Sequence, residues 1–388
     1  MIETDKIIYL DNNATTQVDP AVVEEMVPYL TKFWGNPSSG YSFGAQVRKA
    51  VDLARERVAA LLGCEPSEIV FTSGGTESNN TAINAALQVD PTRQHIVTTA
   101  VEHSAILRYC EDRAKRGCDV TFLGVNEEGE LDLAELERSI RDETAIVSIM
   151  WANNETGVVY PIDAIAEIAR RKRVLFHTDA VQATGKVPLQ LAERGISFLS
   201  LSAHKLYGPK GVGALYVNRN VRFSPMIFGG SQENKRRAGT ENVASIVGLG
   251  KAAELARSGL EQEQERLRKL RDNFESRLRQ RIPDLMINGN PKTRLGNTSN
   301  LSFRGIDAQA LLLMFDQKGI CSSIGSACLT GSLQSSHVLR AMKLDDERAR
   351  GSVRFSLGRC NTAAQIEKAL EIIPAVIEKL RALSPALA

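Results

Sequence analysis

The sequence predicts an α/β fold, in which a mostly parallel seven-stranded sheet is covered by helices and a smaller α+β domain follows. Two observations predict it. Short apolar runs typical of buried strands alternate with helical patterns along most of the 388 residues. Near residue 259 this alternation stops, and a long charged helix precedes short strands and helices. We therefore expect a large domain over 15–258 and a small domain built from 1–14 and 259–388.

Each predicted strand is a short apolar segment beside a turn or a helix start. A strand-like segment at 7–10 opens the chain, and an amphipathic helix is expected at 46–62. Seven strand-like runs follow, at 69–72, 95–99, 120–124, 145–151, 174–178, 198–202 and 213–217. A long helix with an apolar stripe is predicted at 259–281. The later elements are expected at 300–303, 308–315, 337–341, 353–357 and from about 363 onwards.

Composition and charge narrow the class of protein. Apolar residues form 43% of the chain, enough for a large core, and the net charge of +2 gives no reason to expect nucleic acid or a membrane surface as a partner. No signal-peptide pattern is present and the apolar run at 310–315 is too short to span a bilayer, so we expect a cytoplasmic protein. The six cysteines are scattered, which argues against a disulfide framework and against a protein-only metal site.

Lys205 lies directly after a strand-like run and before a Gly-rich turn. A lysine at the end of a buried strand is unfavourable unless chemistry uses it, and desolvation lowers its pKa toward the range that Schiff-base chemistry needs. A nucleotide loop is not indicated, because no G-x-x-x-x-G-K-[ST] pattern occurs here. This segment alone fits an ordinary surface turn at least as well.

Two other segments have the same position relative to a strand. Asp179 directly follows the predicted strand at 174–178. A carboxylate there would suit the ring nitrogen of pyridoxal phosphate, although a lone aspartate at such a position is often a helix N-cap. The segment 73–79 contains two glycines before a helix start, which is typical of an anion site and also of a plain loop. Together they favour a phosphate-bearing cofactor over a surface turn at Lys205.

The histidines divide into candidate site residues and structural ones. His103 lies between a strand and a helix, where it could stack on a cofactor and transfer protons or simply begin the helix. His204, beside Lys205, is expected near a cofactor phosphate. We expect His95 at the surface, and His177 and His337 in structural positions.

These segments together resemble one family, the cysteine desulfurases of the NifS and IscS type. That family belongs to the class V aminotransferase-like group of fold-type I pyridoxal-phosphate enzymes. The resemblance covers nearly the whole chain and extends to further segments at 9–16, 35–39, 151–157, 237–242 and 354–359. It implies pyridoxal 5'-phosphate as cofactor, L-cysteine as substrate and a homodimer.

The resemblance also implies a role for each matching residue. Lys205 would bind the cofactor covalently and act as a base, Asp179 would pair with the ring nitrogen, Gln182 would bond the ring hydroxyl and His103 would stack on the ring. The phosphate would be held by Gly75, Thr76, Ser202 and His204, with Thr240 supplied by the partner subunit. Asn154 and Arg354 would bind the substrate carboxylate, for which a planar guanidinium is well suited.

Cys328 lies among small residues at 326–332, in a segment expected to form an open loop that carries a thiol between substrate and acceptor. The resemblance implies that Cys328 takes the sulfur of cysteine as a persulfide, leaves L-alanine and passes the sulfur to an iron–sulfur scaffold protein. It would also contribute to a transient iron–sulfur cluster during transfer. Relatives usually have serine at Ile324 and threonine at Leu329, and the segment 232–235 also departs from the family pattern.

Several alternatives stay open at the level of sequence. A selenocysteine lyase would not need Cys328, and an aminotransferase of the same fold would produce a keto acid. A non-catalytic sulfur-binding protein would need neither Lys205 nor Asp179. Supply of a nitrogenase and general cluster assembly are not separated by the sequence.

Overall fold

The structure is a computed structural model that describes residues 7–325 and 336–383. Short 3₁₀ turns occur at Pro66–Glu68, Leu191–Glu193, Ala203–Lys205 and Gln232–Lys235. In chain order the strands and helices are β1 (Ile8–Tyr9), α1 (Pro20–Thr31), α2 (Ser42–Leu62), β2 (Ile69–Thr72), α3 (Gly75–Val89), β3 (His95–Thr99), α4 (Ser104–Lys115), β4 (Asp119–Leu123), α5 (Leu133–Ser139), β5 (Thr144–Ser148), α6 (Ile162–Arg171), β6 (Leu175–Asp179), β7 (Phe198–Ser202), β8 (Gly213–Val217), α7 (Val243–Arg281), β9 (Leu285–Ile287), β10 (Thr298–Phe303), α8 (Ala308–Gln317), β11 (Ile320–Cys321), α9 (His337–Ala341), α10 (Asp346–Arg350), β12 (Ser352–Ser356) and α11 (Ala363–Leu383).

The large sheet has seven strands in the order β2-β8-β7-β6-β5-β3-β4, which confirms the predicted α/β class. All strands are parallel except β8, which runs antiparallel to both β2 and β7. The link between β7 and β8 is too short for the helical crossover that a parallel pair requires. The sheet is therefore mixed, and the carboxyl ends of β2, β7, β6, β5 and β3 share one edge.

Both faces of this sheet are covered, as its continuous apolar strands predict. Neighbouring residues of one strand point to opposite faces, so Val97 belongs to one hydrophobic cluster and Ile96 to another. Val147 and Ile146 divide in the same way. The first cluster contains α2, α6 and the first half of α7, and the second contains α3 and α4.

A separate hydrophobic cluster forms around a three-stranded sheet of order β12-β10-β9. Ile8 and Leu10 from the start of the chain belong to it, because β1 pairs in parallel with β11. Leu295 and Met342, however, pack into the first cluster of the large sheet. The predicted division after residue 258 stays a prediction. Within 7–325 and 336–383, no helix is both long and apolar enough to cross a membrane.

The long helix predicted at 259–281 begins earlier than expected, at Val243. Its first half contains Gly248 and Gly250, which have low helix propensity and obscure the pattern. Gly250 is needed for packing, because a Cβ there would lie 2.5 Å from Cα of Ala54 in α2. Close contact between α2 and α7 thus overrides local propensity.

The expectation that His95 lies at the surface is wrong, because its side chain is buried. His95 is the first residue of β3, between β4 and β5. Its Nδ1 lies 2.8 Å from the Thr144 hydroxyl and its Nε2 lies 2.9 Å from the Thr121 hydroxyl. Both ring nitrogens are satisfied by neighbouring strands, which sequence alone does not reveal.

Candidate active site

One cavity of about 270 Å³ lies where the carboxyl ends of the parallel strands meet. Ligands of open α/β sheets bind at this edge. Segments that are far apart in sequence converge here, from both the large sheet and β12. Of the residues assigned from sequence, the cavity is lined by Gly75, Thr76, His103, Asn154, Asp179, Gln182, Ser202, His204, Lys205 and Arg354.

Lys205 ends the 3₁₀ turn that directly follows β7. Its side chain is partly buried, and Nζ donates to the carbonyl oxygens of Asn13, at 2.5 Å, and Ala14, at 2.6 Å. The surface-turn alternative for this lysine does not match that position. The amine instead projects into the cavity toward the N-terminal segment.

Asp179 is the last residue of β6 and is almost fully buried. Its Oδ1 accepts the backbone N–H of Val181 at 3.0 Å, and its Oδ2 accepts Asn79 Nδ2 of α3 at 2.6 Å. Both interpretations of this residue therefore apply, because it caps the turn after β6 and also lines the cavity. Contacts from two elements hold the carboxylate in one orientation.

The N-terminus of α3 forms one wall of the cavity at Gly75 and Thr76. A Cβ on Gly75 would lie 2.8 Å from Cγ2 of Val181, so a glycine keeps this wall open. Free N–H groups and the helix dipole favour an anion at such a terminus. Glu77 accepts the N–H of Ser73 at 2.8 Å and pairs with Arg237 at 2.9 Å, which fixes the loop in place.

His103 is the N-cap of α4, and its Nδ1 accepts the N–H of Ala105 at 3.2 Å. Burial lowers the pKa of His103, although the carboxylate of Asp179 opposes this effect. The ring is therefore neutral near pH 7, with its proton on Nε2. Burial and the charge of Lys205 likewise lower the pKa of His204 to about 4. Two neutral imidazoles thus lie beside the lysine.

Arg354 of β12 lies on the side of the cavity formed by the C-terminal part of the chain. Its Nη2 pairs with Asp11 at 2.7 Å and its Nη1 donates to the carbonyl of Asn154 at 3.0 Å. Nε is buried and has no partner among the described residues. Asn154 is fixed in turn by Asn13, whose Nδ2 donates to the same carbonyl at 3.1 Å. The guanidinium is thereby rigidly held beside the cavity.

The comparisons with known proteins agree on one family. The family model described as Aminotransferase class-V matches residues 8–369. A protein of Trichormus variabilis described as "Cysteine desulfurase 2" is 55% identical over 98% of this chain and 95% of its own length. The chain belongs to the cysteine desulfurases of the class V aminotransferase family. It is therefore a pyridoxal-phosphate-dependent enzyme of this family.

Solved structures support the same assignment. A structure titled "NIFS-LIKE PROTEIN" has a TM-score of 0.91 and 36% identity, over 96% of this chain and 100% of that chain. A second, titled "SspA in complex with cysteine", has a TM-score of 0.80 and 35% identity, over 90% of this chain and 98% of that chain. The fold-type I architecture expected from the resemblance is confirmed.

The residues of the cavity fit the cofactor of this desulfurase family. Pyridoxal phosphate needs an amine, a carboxylate for its ring nitrogen and an anion site. Lys205 supplies an amine, Asp179 a fixed carboxylate, and the α3 terminus an anion site that a side chain at Gly75 would fill. The apolar side chains of Met150 and Val181 provide surfaces for a ring.

Among the described residues that were assigned from sequence, Thr240 does not line the cavity. Thr240 is exposed and lies in the segment that Arg237 ties to α3 through Glu77. Cys328 and Leu329 lie outside the described residues. The chain before and after that segment is described, and both ends contact Glu155. Ser336 Oγ donates to Glu155 Oε2 at 2.5 Å, and a Cβ on Gly325 would lie 2.6 Å from the same oxygen.

The family departures at 232–235 and Ile324 have structural counterparts. Glu233 is buried, accepts both Arg55 amino groups at 2.7 and 2.8 Å, and also accepts the N–H of Phe71 in β2 at 2.9 Å. Ile324 packs against the cluster around the three-stranded sheet. Both substitutions are thus accommodated by local packing.

Sequence reasoning did not assign Asn13 or Asn79 to the site, although both line the cavity. Asn13 contacts three other residues of the cavity. Its carbonyl accepts from Lys205 and Gln182, and its side chain donates to the carbonyl of Asn154. The polar run at 11–16 after a strand was the available signal. Asn79 had a weaker one, since its place one turn into a helix is ordinary for an asparagine.

Proposed function

We propose that this chain is an L-cysteine desulfurase that transfers the substrate sulfur to Cys328 as a persulfide and releases L-alanine. The observation that carries the proposal is the convergence of Lys205, Asp179 and Arg354 on one cavity. The amine of Lys205 and the carboxylate of Asp179 can hold the cofactor. The guanidinium of Arg354 lies beside them and can bind the carboxylate of an amino-acid substrate. The named relatives and the structure titled with bound cysteine support the choice of substrate.

Each cavity residue has a proposed task toward the cofactor. Lys205 would hold it covalently, Asp179 would keep its ring nitrogen protonated, and Gln182 would bond its ring hydroxyl. Its phosphate would be bound by Gly75, Thr76, Ser202 and His204 at the α3 terminus. When bound, the cofactor withdraws electrons from the substrate α-carbon.

The substrate would be oriented by its carboxylate. Arg354 presents a buried Nε, and Asn154 lies next to it on the cavity wall. A fixed guanidinium binds a carboxylate through charge-assisted hydrogen bonds and positions the α-carbon near Lys205. Lys205 Nζ would then accept the α-proton. His103, neutral and protonated at Nε2, would move a proton during cleavage of the carbon–sulfur bond.

Cys328 would complete the reaction as a nucleophile. Its thiolate attacks the substrate sulfur, an S–S bond forms, the C–S bond breaks, and the electron pair stays with carbon, which is protonated to give alanine. The sulfur is thereby oxidised to the persulfide level and the carbon is reduced, so no outside oxidant is needed. Gly325, three positions before Cys328 in sequence, lies against Glu155, next to the substrate-binding Asn154.

The test uses the purified holoenzyme with L-cysteine and no reductant. We expect alanine to form, and the peptide that contains Cys328 to gain one sulfur atom by mass spectrometry. C328A should lose both results, whereas the matched control C321A should keep them. If C328A still formed alanine and released sulfide from L-cysteine, a lyase mechanism would replace this one. Pyruvate in place of alanine would favour an aminotransferase.

We also propose a cytoplasmic homodimer in which Thr240 reaches the partner's phosphate site. Thr240 is exposed and does not line the cavity of its own chain. Large apolar side chains are also exposed, with Phe228 at 79% and Trp34 at 74%. Phe and Trp are enriched at protein–protein interfaces relative to the rest of the surface, which supports a protein partner. Light scattering should give a dimer, and T240A should weaken cofactor binding. A monomer that retains cofactor would contradict the assignment.

The sulfur acceptor is proposed to be an iron–sulfur scaffold protein. Membership of the desulfurase family supports this role. The measurement is transfer of radioactive sulfur from the Cys328 persulfide to a purified scaffold protein. Retention of all label on the enzyme would argue for another acceptor.

A further inference from the structure

Lys186 is a second lysine close to the active site, and the family reaction as proposed above leaves it without a task. It ends the turn that begins after Asp179, with its N–H bonded to the carbonyl of Ala183 at 2.9 Å. The preceding Gly185 has a φ of 72°, and a Cβ there would overlap the Leu206 side chain. Only glycine fits both conditions, so the backbone entering Lys186 is closely constrained.

The side chain of Lys186 contacts two residues of the cavity wall. Its Nζ donates to Oε1 of Gln182 at 2.9 Å and to Oδ1 of Asn13 at 3.4 Å. Gln182 and Lys186 are four positions apart in the turns that follow β6, and this hydrogen bond joins their side chains. On its other end, Gln182 donates Nε2 to the carbonyl of Asn13 at 3.0 Å.

These contacts define one orientation of the Gln182 amide. A lysine ammonium can only donate, so the amide must present its oxygen to Lys186. The Asn13 carbonyl can only accept, so the amide must present its nitrogen there. Both constraints are satisfied together, and Gln182 lines the cavity. The same carbonyl accepts Lys205 Nζ at 2.5 Å, which connects the two lysines through Asn13.

The contribution of Lys186 is that of a donor more than that of a charge. Burial, with the positive charges of Lys205 and Arg354, lowers its pKa to about 7. A neutral amine still donates to Gln182 above that pH, whereas its electrostatic effect on a ligand disappears. Loss of the amine would leave Oε1 of Gln182 without this donor in a partly buried site, and the Asn13 carbonyl alone would then hold the amide.

We propose that Lys186 is a positioning residue that orients the Gln182 amide so that its nitrogen faces the ring hydroxyl of the bound cofactor. The inference rests on the proposed contact between Gln182 and that hydroxyl. A donor at the ring oxygen would stabilise the negative charge on that oxygen and so weaken its attraction for the protonated nitrogen of the Lys205 linkage. Losing the donor lets that nitrogen keep its proton to higher pH.

The test is a double-mutant cycle on the full-length holoenzyme, with K186M, Q182A and K186M/Q182A. The measured quantity is the pH midpoint of the change in the cofactor absorption band. We expect K186M to raise this midpoint by roughly half to one pH unit, in the same direction as Q182A. The double variant should stay within about 0.3 unit of Q182A, because Lys186 acts through Gln182.

Two controls separate positioning from general support of the fold. K186R keeps a donor and should restore the midpoint to within about 0.3 unit of the wild type. Q264A removes a side chain that donates to the Lys186 carbonyl without touching its amine. It should lower the melting temperature and leave the midpoint unchanged. A purely structural role for Lys186 would give K186M the same behaviour as Q264A, which would overturn the inference.

The remaining outcomes are distinguishable. Additive shifts in the double variant would mean that Lys186 acts independently of Gln182, and the inference would be wrong. A shift in Q182A with none in K186M would also refute it while leaving the role of Gln182 intact. A Q182A variant with the wild-type midpoint would instead refute the proposed Gln182 contact, and with it the positioning role.

Discussion

Replacing Arg354 with lysine tests whether the buried guanidinium binds the substrate carboxylate. Lysine keeps the positive charge and loses the planar fork. Arg354 Nη groups are engaged by Asp11 and Asn154, and its buried Nε has no partner among the described residues. A hydrogen bond to a charged group contributes about 1.5–3 kcal/mol, so loss of one contact should raise KM for cysteine by about 10- to 150-fold. Because the contact exists before bond cleavage, kcat should change much less.

Arg294 offers a matched control. Its side chain is 3% exposed against 2% for Arg354, it pairs with a buried Glu275, and its Nε also has no described partner. It does not line the active-site cavity. Steady-state assays of alanine formation and thermal unfolding should therefore show a lower melting temperature in both R354K and R294K, with a raised KM in R354K alone. Equal KM values for R354K and wild type would refute carboxylate binding by Arg354.

Three further perturbations follow from the packing and charges. In G75A, the new Cβ would lie 2.8 Å from Val181, in the wall expected to hold the phosphate. Cofactor affinity, measured by absorbance on reconstitution, should therefore fall by about 10-fold or more. The control G259A, whose new Cβ would have no atom within 4 Å, should leave this affinity unchanged. E233Q weakens the bonds of a buried carboxylate to Arg55 and Phe71, so the free energy of unfolding measured in urea should fall by about 2–3 kcal/mol. An unchanged value would mean that the ion pair makes no net contribution to stability. Burial lowers the pKa of His177 to about 3, below its value in the unfolded chain. As the pH falls, the unfolded state therefore binds the proton first. The free energy of unfolding should decrease between about pH 6.5 and pH 3, by up to about 1.4 kcal/mol per pH unit. H177N should make that pH dependence shallower, and an unchanged slope would exclude His177 as its source.

The strands of the large sheet could be predicted because they are short, rich in apolar residues and mostly separated by helical patterns. The residues after them could be identified as candidate ligands for the same reason, since parallel strands end at one edge. Asp179, Lys205 and the loop at 73–79 all follow this rule. The direction of β8 and the start of α7 were harder to predict from sequence. The first depends on loop length, and the second on a close helix contact at Gly250.

The histidines illustrate where local sequence information ends. His103 and His95 both stand next to strand boundaries, yet one lines the cavity and the other is enclosed between two strands by Thr121 and Thr144. Their environments differ because of which strands are neighbours, and strand order is not written in any local pattern. Burial, which sets the pKa of both rings, follows from that order.

The sequence by itself determined the α/β class, the family and the identity of most cavity residues, because apolar periodicity and motif order are local properties of the chain. Only the tertiary structure decided which groups hold those residues in place. Asn13, Asp11 and Lys186 contact the site although none of them was assigned to it from sequence alone. The bonds of Lys186 to Asn13 and of Arg354 to Asp11 form only when the segment after β1, the turn after β6 and β12 are brought together. Orientation of the reactive groups is a property of that convergence.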